Sequence, residues 1–312
     1  MASYAAPMSA QPVPHLRPGR LSVGVLGVGR VGAVLGAALL AAGHRIVAAS
    51  GVSDASRARA ERLLPGVPLV APHDVLADVD LALLCVPDAA LPTLVAGLAA
   101  TGSVRPGQLL AHTAGRYGLA VLEPTRAQGA LPLALHPVMT FTGTAMDLGR
   151  LAGCSFGVTA PEPLRPIAEA LVLEMGGEPV WVAEADRTLY HAALAHGANH
   201  LTTLVAQATD LLRRAGIEQP GRVIGPLLAA TLDNAVSAGE VTLTGPVARG
   251  DAGTVAAHVR VIGAAAPETL PSYRALARAT ADRALASGRL RPADAEALLE
   301  ALAGPVDEGT VG

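Results

Sequence analysis

The chain contains no lysine, so every basic side chain other than histidine is an arginine. Aromatic residues make up only 2% of its 312 residues, and it has just two cysteines, Cys85 and Cys154. So few cysteines predict that there is no disulfide framework and indicate a reducing, cytoplasmic compartment. No stretch of about 18 residues is uninterruptedly apolar, so the sequence predicts no transmembrane helix.

The charge balance also excludes some classes of partner. The formal net charge is −3 at pH 7, which gives no reason to expect binding to nucleic acid or to an anionic membrane surface. The apolar fraction of 51% comes mainly from alanine, leucine and valine. This composition is typical of parallel strands buried on both faces and of alanine-rich helices. A chain of this length is sufficient for two domains.

Residues 21–50 carry the strongest motif. An apolar run at 21–26 precedes the pattern G-x-G-x-x-G, and a predicted helix and a second strand follow it. Gly27 permits a tight turn, Gly29 lets the backbone approach a pyrophosphate, and Gly32 lets the helix pack closely on the sheet. The helix N-terminus then offers free N–H groups to phosphates. The predicted cofactor contacts here are Gly27, Val28, Gly29, Arg30, Val31 and Gly32.

The end of the second strand bears on the choice of cofactor. NAD sites usually carry an acidic residue there, whereas this chain has Ser50 and Ser53, followed by Arg57 and Arg59. Hydroxyls and guanidinium groups suit the 2′-phosphate of NADP, so NADP is expected and NAD is less favoured. Two alternatives stay open. The arginines could lie on a solvated helix face, or Asp54 could bind the ribose from a longer loop.

Predicted strands and helices alternate up to about residue 183, and only helices follow. After the first unit, strands are predicted at 67–70, 79–86, 108–112, 131–135, 154–159 and 178–182. Helices are predicted between them at 55–64, 89–100 and 164–175, and later at 184–215, 219–238, 251–264, 267–287 and 292–303. The fold class is therefore α/β, a doubly wound and mostly parallel Rossmann sheet followed by an all-α domain. The domains are expected at 20–183 and 184–305, with a disordered leader at 1–19 and a tail at 306–312.

Several predicted strands end in polar or turn residues. Ligands of doubly wound sheets bind at the carboxyl ends of the strands. The segment Val86, Pro87 and Asp88 and the strand-end His112 are therefore expected to face the cofactor, and His136 to face the substrate. A histidine at a strand end is also often a turn residue whose ring bonds to the backbone, and this alternative stays open for both.

The helix after residue 184 carries a second polar group. His196, Asn199 and His200 share one face of a regular helix by their i, i+3, i+4 spacing. His196 and His200 could also hold a metal ion, but no carboxylate accompanies them at the H-E-x-x-H spacing. No metal site is therefore predicted. Each histidine could alternatively bond across the interface between the two domains.

A loop between two later helices contains further candidates for substrate binding. Glycines punctuate the segment Thr244–Asp251, which would form a rigid polar loop. Arg249 suits a carboxylate or phosphate group. Asp251 either lines the same site or caps the helix that follows. His258 lies two turns further along the face that begins at Asp251.

These motifs together resemble the Rossmann-like oxidoreductases with a C-terminal DUF2520 domain, within the 6-phosphogluconate dehydrogenase C-terminal-like group. The resemblance covers nearly the whole chain from about residue 20. It rests on the glycine turn and on the segments 86–88, 112–115, 135–137 with Phe141, 190–193 with Asn199, and 244–251 with His258. It implies a dinucleotide-dependent oxidoreductase, with ketopantoate, pyrroline-carboxylate and β-hydroxyacid reductases among its relatives.

The resemblance also suggests catalytic residues. In the β-hydroxyacid dehydrogenases and ketopantoate reductases, a lysine on the first long helix of the C-terminal domain donates the proton, and asparagines follow one turn later. This chain has no lysine. The resemblance implies that Asn199 orients the substrate and that His191 either acts as the acid or has a structural role. His196, at about the spacing of that lysine from Asn199, is the second candidate for the acid.

The function expected from the sequence is NADP(H)-dependent reduction of a small carbonyl or imine substrate in the cleft between domains. A 2-oxo acid such as 2-dehydropantoate is the first candidate. The alternative is a dinucleotide-binding redox sensor or assembly subunit without turnover. Predicted helices at 191–212 and 223–238 are apolar over more than one face, which predicts a homodimer through the helical domain.

Overall fold

A computed structural model describes residues 19–303 of the chain. The predicted leader, apart from Gly19, and the predicted tail lie outside the described residues. The chain divides into two compact units, which meet between His196 and Gly197. The division falls later than the domain boundary predicted near residue 183, because the buried side chain of Arg187 bonds the start of the next helix to the sheet.

The first unit is built on a seven-stranded sheet in the order β2-β1-β3-β4-β5-β6-β7. Its strands are β1 (Ser22–Leu26), β2 (Arg45–Ser50), β3 (Leu81–Leu84), β4 (Leu109–His112), β5 (Leu131–Pro137), β6 (Ser155–Thr159) and β7 (Glu178–Trp181). All neighbouring strands are parallel except β5 and β6, which are antiparallel. Because β2 and β3 lie on opposite sides of β1, the sheet is doubly wound as predicted.

One predicted strand is wrong. Residues 67–70 form a single bridge, between Leu69 and Ala49, beside β2. Only two main-chain hydrogen bonds join this segment to β2. The amide of Ala49 donates to the carbonyl of Pro68, and the amide of Val70 donates to the carbonyl of Ala49. Pro68 has no N–H to extend the ladder, so a full strand does not form.

Helices of the first unit cover both faces of the sheet. They are α1 (Arg30–Ala41), α2 (Asp54–Leu63), α3 (Leu91–Ala100), α4 (Glu123–Arg126), α5 (Met146–Leu151), α6 (Arg165–Glu174) and α7 (Arg187–Leu194). Alternate residues of one strand enter different clusters, with Leu81 and Leu83 packing beside α1 and α6, and Ala82 and Leu84 beside α3. Burial on both faces explains why the strands are continuously apolar in sequence. The short helices α4 and α5 were not predicted.

The second unit is helical. A π-helical turn (Ala195–Asn199) leads into α8 (His200–Arg214), α9 (Pro220–Ala238), α10 (Ala252–Ala265), α11 (Leu270–Ala286) and α12 (Pro292–Ala303). Its core lies among α10, α11 and α12. In contrast, α8 buries no residue and α9 buries only Pro220. Within residues 19–303, no helix is both long and apolar enough to cross a membrane.

His112 is part of the fold rather than of an exposed site. It ends β4, and its side chain is completely buried. Its Nδ1 atom accepts a hydrogen bond from the amide of Ala114 (3.2 Å), so Nε2 carries the proton and donates to the carbonyl of Gly118 (2.8 Å). The ring therefore fastens the loop that follows β4, while the cofactor contact expected of His112 stays a prediction. This outcome matches the alternative of a backbone-satisfied turn residue.

We predict that His112 makes the protein acid-sensitive. Burial lowers the pKa of His112 from 6.5 to about 4, so between these values the unfolded chain binds more protons than the folded chain. The free energy of unfolding should therefore fall by roughly 3 kcal/mol as the pH is lowered from 6.5 towards 4. Urea unfolding at several pH values measures this loss, and His112→Gln should reduce it. His73→Gln, at an exposed histidine, is the control, and an unchanged pH dependence in His112→Gln would contradict the prediction.

Candidate active site

The glycine turn has the geometry that a dinucleotide requires. Gly27 adopts a φ of 94°, and its amide and that of Val28 both donate to the carbonyl of Ser50 (3.1 and 2.9 Å). A Cβ atom on Gly32 would lie 2.1 Å from the carbonyl oxygen of Gly27, so only glycine allows this approach. Helix α1 begins without a side-chain cap and without an acidic residue in its first turn. Its N-terminal amides therefore suit phosphate groups.

The hydroxyl residues predicted to bind the cofactor after β2 bond to main-chain amides, whereas Arg57 is exposed. The hydroxyl of Ser50 is buried and accepts from the amide of Gly27 (3.2 Å), so it serves the turn itself. Ser53 caps α2 through the amide of Ser56. Arg57 forms an exposed ion pair with Asp54 (2.7 Å). This pairing matches the expectation that at least one of the two arginines lies on a solvated helix face.

The side chains of Arg30, in α1, and Arg59, in α2, both pack against the loop that follows β5. The carboxylate of the buried Asp147 accepts hydrogen bonds from the amides of Thr142 (2.8 Å) and Gly143 (2.7 Å), which fixes this loop. A Cβ atom on Gly143 would lie 2.7 Å from Nε of Arg59 and 2.9 Å from Cγ of Arg30. Within residues 19–303, neither guanidinium has a salt-bridge partner. The geometry therefore presents two uncompensated cations at the start of α1 and in α2.

The turn after β3 borders the glycine turn. A Cβ atom on Gly27 would lie 3.2 Å from Cγ1 of Val86, so these two predicted cofactor residues are neighbours. Pro87 is exposed, and Asp88 is half-buried with its carboxylate 4.0 Å from Nε of Arg116.

Three polar side chains meet where β5 ends. The hydroxyl of Tyr190 lies 2.8 Å from Nδ1 of His136, and either atom can donate, depending on the tautomer of the histidine. The ring of His191 packs edge-on against that of His136, with centroids 6.1 Å apart. All three side chains are partly exposed. The structure thus joins the predicted substrate residue His136 to the predicted acid His191, and it adds Tyr190.

Two glycines make room for this cluster. A Cβ atom on Gly115 would lie 2.5 Å from Cδ2 of His191 and 3.0 Å from Nε2 of His136. A Cβ atom on Gly157 would lie 2.3 Å from the hydroxyl of Tyr190. Any larger residue at either position would therefore force the rings apart. The segments around residues 115, 136 and 190, which are distant in sequence, form one site.

Arg187 anchors the helix that carries Tyr190 and His191. Its guanidinium, only 1% exposed, donates to the hydroxyl of Thr159 (2.8 Å) and to three main-chain carbonyls. These carbonyls belong to Ala134 (3.0 Å), Gly157 (3.0 Å) and Gly115 (3.4 Å). The contacts join α7 to β5, to β6 and to the loop after β4. Tyr190, one turn further along α7, is thereby brought against His136.

The environment sets the protonation states of the cluster. Burial, together with the positive charge of Arg187, lowers the pKa of His136 to about 4. Burial also raises the pKa of Tyr190 above its ordinary value, although Arg187 opposes that effect. At neutral pH the imidazole of His136 is therefore uncharged, and the phenol of Tyr190 keeps its proton. The two side chains are therefore hydrogen-bonded to each other while both are uncharged.

The other catalytic candidates lie further along the chain. His196 and Asn199 belong to the π-helical turn, and both are exposed. A π-helix has i→i+5 hydrogen bonds, so the regular helix predicted through His196, Asn199 and His200 is interrupted at this turn. Residues 19–303 contain no group of three or more histidine, cysteine or acidic side chains suited to a metal ion. The alternative metal site therefore gains no third ligand from the described part of the chain.

The predicted substrate loop is ordered within the second unit. The carboxylate of Asp251 caps α10 by accepting from the amide of Thr254 (3.0 Å), which is the structural alternative foreseen for it. Nδ1 of His258 lies 2.9 Å from the hydroxyl of Tyr273. Arg249 is exposed. Substrate contacts from these residues remain predictions.

Sequence reasoning missed the roles of Arg187 and Tyr190. Tyr190 appeared only as part of a motif, and Arg187 did not stand out among the many arginines. A signal was present, because residues 187, 190 and 191 lie three and four apart and share one helix face. An arginine on that face, at the start of a helix that follows a strand, could have been linked to the strand-end His136.

Two family models match the sequence. A Rossmann-like domain matches residues 6–137, and DUF2520, a domain of unknown function, matches residues 154–280. No curated protein matches the sequence significantly.

Solved structures share the fold at low sequence identity. A candidate NADP oxidoreductase from Bacteroides fragilis is 21% identical, with a TM-score of 0.71, over 84% of this chain and 98% of that one. A reductive aminase from Aspergillus terreus, in complex with NADPH and ethyl levulinate, is 17% identical, with a TM-score of 0.59, over 90% and 99%. A semialdehyde dehydrogenase NAD-binding protein from Cupriavidus necator, in complex with calcium and NAD, is 19% identical, with a TM-score of 0.52, over 70% and 83%. The two family models thus identify a Rossmann-like domain followed by a DUF2520 domain in this chain.

Proposed function

We propose that this protein is an NADP(H)-dependent oxidoreductase that reduces a small carbonyl or imine substrate. The observation that carries the proposal is the cluster of His136, Tyr190 and His191 at the end of β5. The glycine turn ends β1 of the same sheet, three strands away. At about 4.8 Å per strand, this places the two sites roughly 14 Å apart. A dinucleotide bound at the turn and extended along the carboxyl edge would run towards the cluster.

The residues of the chain would divide the work of a reduction. NADPH, when bound, supplies the hydride. The amides at the start of α1 hold its pyrophosphate, and the cluster supplies the proton that the substrate oxygen or nitrogen needs. Tyr190 holds a proton at neutral pH, and its contact with Nδ1 of His136 offers a route for replacing it. His191, packed on His136, is the alternative donor, while Asn199 and His196 keep the roles predicted from the sequence.

The proposal specifies a class of substrates, small carbonyl or imine compounds, and no single compound. Two of the similar structures are described as an NADP oxidoreductase and a reductive aminase, which supports carbonyl or imine reduction for this chain. Among 2-oxo acids, 2-dehydropantoate is the first to try. The decisive test is loss of NADPH absorbance across a panel of 2-oxo acids, ketones and cyclic imines. Tight NADPH binding without turnover on any of them would instead favour the non-catalytic sensor.

We predict that Tyr190 supports turnover more than Asn199 does. Tyr190→Phe removes the hydroxyl but keeps the ring, so turnover should fall about 10²-fold or more, while NADPH affinity barely changes. The fall should be accompanied by an altered pH profile of the rate, which a purely structural role would not produce. Asn199→Ala and His196→Ala, measured in parallel, test the roles predicted from the sequence. Full activity of Tyr190→Phe, with activity lost in Asn199→Ala, would reverse our assignment.

The cofactor proposed is NADP rather than NAD. Arg30 and Arg59 present uncompensated charge beside the glycine turn, whereas Arg57 is already paired with Asp54. An uncompensated guanidinium gains more from a 2′-phosphate than one that must first give up a carboxylate. One similar structure contains NAD, so the choice rests on the arginines of this chain.

We predict that NADPH binds about tenfold or more tightly than NADH. Titration of both cofactors, followed by quenching of the single tryptophan Trp181, measures the ratio. Arg59→Ala should remove most of the preference and Arg57→Ala less of it. Arg62→Ala, at an exposed arginine on the same helix, is the matched control. Equal affinities in the wild type, or a preference that survives loss of both Arg57 and Arg59, would contradict the assignment.

The helical unit supports the proposed homodimer. Helix α9 has only two charged residues, Arg222 and Asp233, yet nearly all of it is exposed. Among its large apolar side chains, Leu227 is 65% exposed and Val236 is 80% exposed. An exposed apolar face of this kind is typical of a subunit interface.

We predict a dimer in light scattering at micromolar concentration. Leu227→Asp together with Val236→Asp should produce monomers, because each places a charge within the proposed interface. Leu173→Asp, at an exposed leucine of α6, should leave the dimer intact. A monomeric wild type would refute the proposal.

A further inference from the structure

Arg187 carries a buried positive charge that forms no salt bridge with any carboxylate within residues 19–303. Every oxygen that its guanidinium contacts is uncharged, namely one hydroxyl and three main-chain carbonyls. Most buried arginines are instead paired with acidic groups, because desolvation of an unpaired cation is costly. Its hydrogen bonds also hold the guanidinium in place, so the charge cannot move out to solvent.

The groups around Arg187 do not supply the missing negative charge. His136 on β5 and His112 on β4 both have a pKa of about 4 and are neutral. On α7, Tyr190 is a protonated phenol whose ring centre lies 5.8 Å from the guanidinium carbon, and the imidazole of His191 cannot supply a negative charge. The acidic side chain that acts on Arg187 is Glu184. Its carboxylate is already bound to the amides of Leu119 (2.6 Å) and Ala120 (3.0 Å), and it is exposed to water.

A fixed cation in a protein interior creates a positive potential that extends to neighbouring cavities. The partly exposed cluster of His136, Tyr190 and His191 lies directly beside Arg187, so a ligand there is the nearest group that can balance the charge. At an effective dielectric constant of about 20, a unit charge about 8 Å away changes the affinity for an anion by roughly 30-fold. The effect needs no direct contact between Arg187 and the ligand.

We propose that Arg187 is a specificity-determining residue that selects substrates carrying a carboxylate next to the reacting carbon. This inference rests on the proposed reductase function and narrows its substrate class to 2-oxo acids and 2-imino acids, at the expense of neutral ketones and imines. Arg187 acts through its field and through the placement of α7. The carboxylate of the substrate, bound at the cluster, balances the charge of Arg187 from a short distance.

Ligand binding in the wild type tests the inference without relying on turnover. The probes are 2-oxo acids from pyruvate to 2-oxohexanoate, each paired with its neutral amide, in the presence of NADP⁺. The ring signal of His136 is followed by NMR as the pH is varied, and its loss in His136→Asn identifies it. At least one acid should bind about tenfold or more tightly than its amide and should raise the pKa of His136, because its anion opposes the field of Arg187.

Variants assign the effect to its source. Arg187→Gln should bring the acid and its amide to similar affinity, while Arg187→Lys should keep most of the preference because it keeps the charge. Arg165→Gln is the control, because Arg165 is half-exposed and its guanidinium stacks on the ring of Trp181. This variant should keep the full preference for the acid over its amide. If Arg187→Gln does not fold, the wild-type titrations and Arg187→Lys still decide the matter.

Two results would overturn the inference. One is a wild type that binds every amide as well as its acid, or binds no acid at all. The other is a carboxylate preference that is lost in Arg249→Gln and kept in Arg187→Gln. Failure of the proposed reductase function is separate. It would appear as absence of NADPH binding or of NADPH oxidation with every substrate, including neutral ones, whatever the titration of His136 shows.

Discussion

The hydrogen bonds of Arg187 hold the candidate active site together. This one side chain joins α7 to two antiparallel strands and to the loop after β4. These contacts fix the start of the helix that follows β7 on the sheet. Tyr190 and His191, three and four residues later, meet His136 from that position. The arrangement depends on a charged group placed where charge is expensive, so the surrounding carbonyls must all point towards it.

Small residues complete what Arg187 begins. Gly115 and Gly157 leave the space that the rings of Tyr190, His191 and His136 occupy. A glycine normally weakens a strand, because it adds chain entropy and no packing. Its presence in β6 is explained by the hydroxyl of Tyr190, which lies where a Cβ atom would be. The site therefore depends on the lack of a Cβ atom at these two glycines as much as on the polar groups themselves.

Two histidines near the ends of neighbouring strands differ in role because their surroundings differ. His112 and His136 both end parallel strands, and burial lowers both pKa values to about 4. Both nitrogens of His112 bond to its own loop, so its ring is structural. Nδ1 of His136 meets a tyrosine from a different segment, and its ring is partly exposed. The same residue type near the ends of neighbouring strands thus has a structural role in one strand and a candidate chemical role in the next.

The sequence by itself determined the glycine turn, the alternation of strands and helices, the helical second half, and the match to the two family models. These features are local, since they depend on spacing, on φ at glycine and on apolar runs. Only the tertiary structure decided which histidine faces an open site, that Arg57 is paired while Arg59 is not, and that Arg187 lies beneath Tyr190. It also replaced a regular helix by a π-helical turn at 195–199. Such outcomes depend on burial and on contacts between distant segments, which periodicity cannot encode.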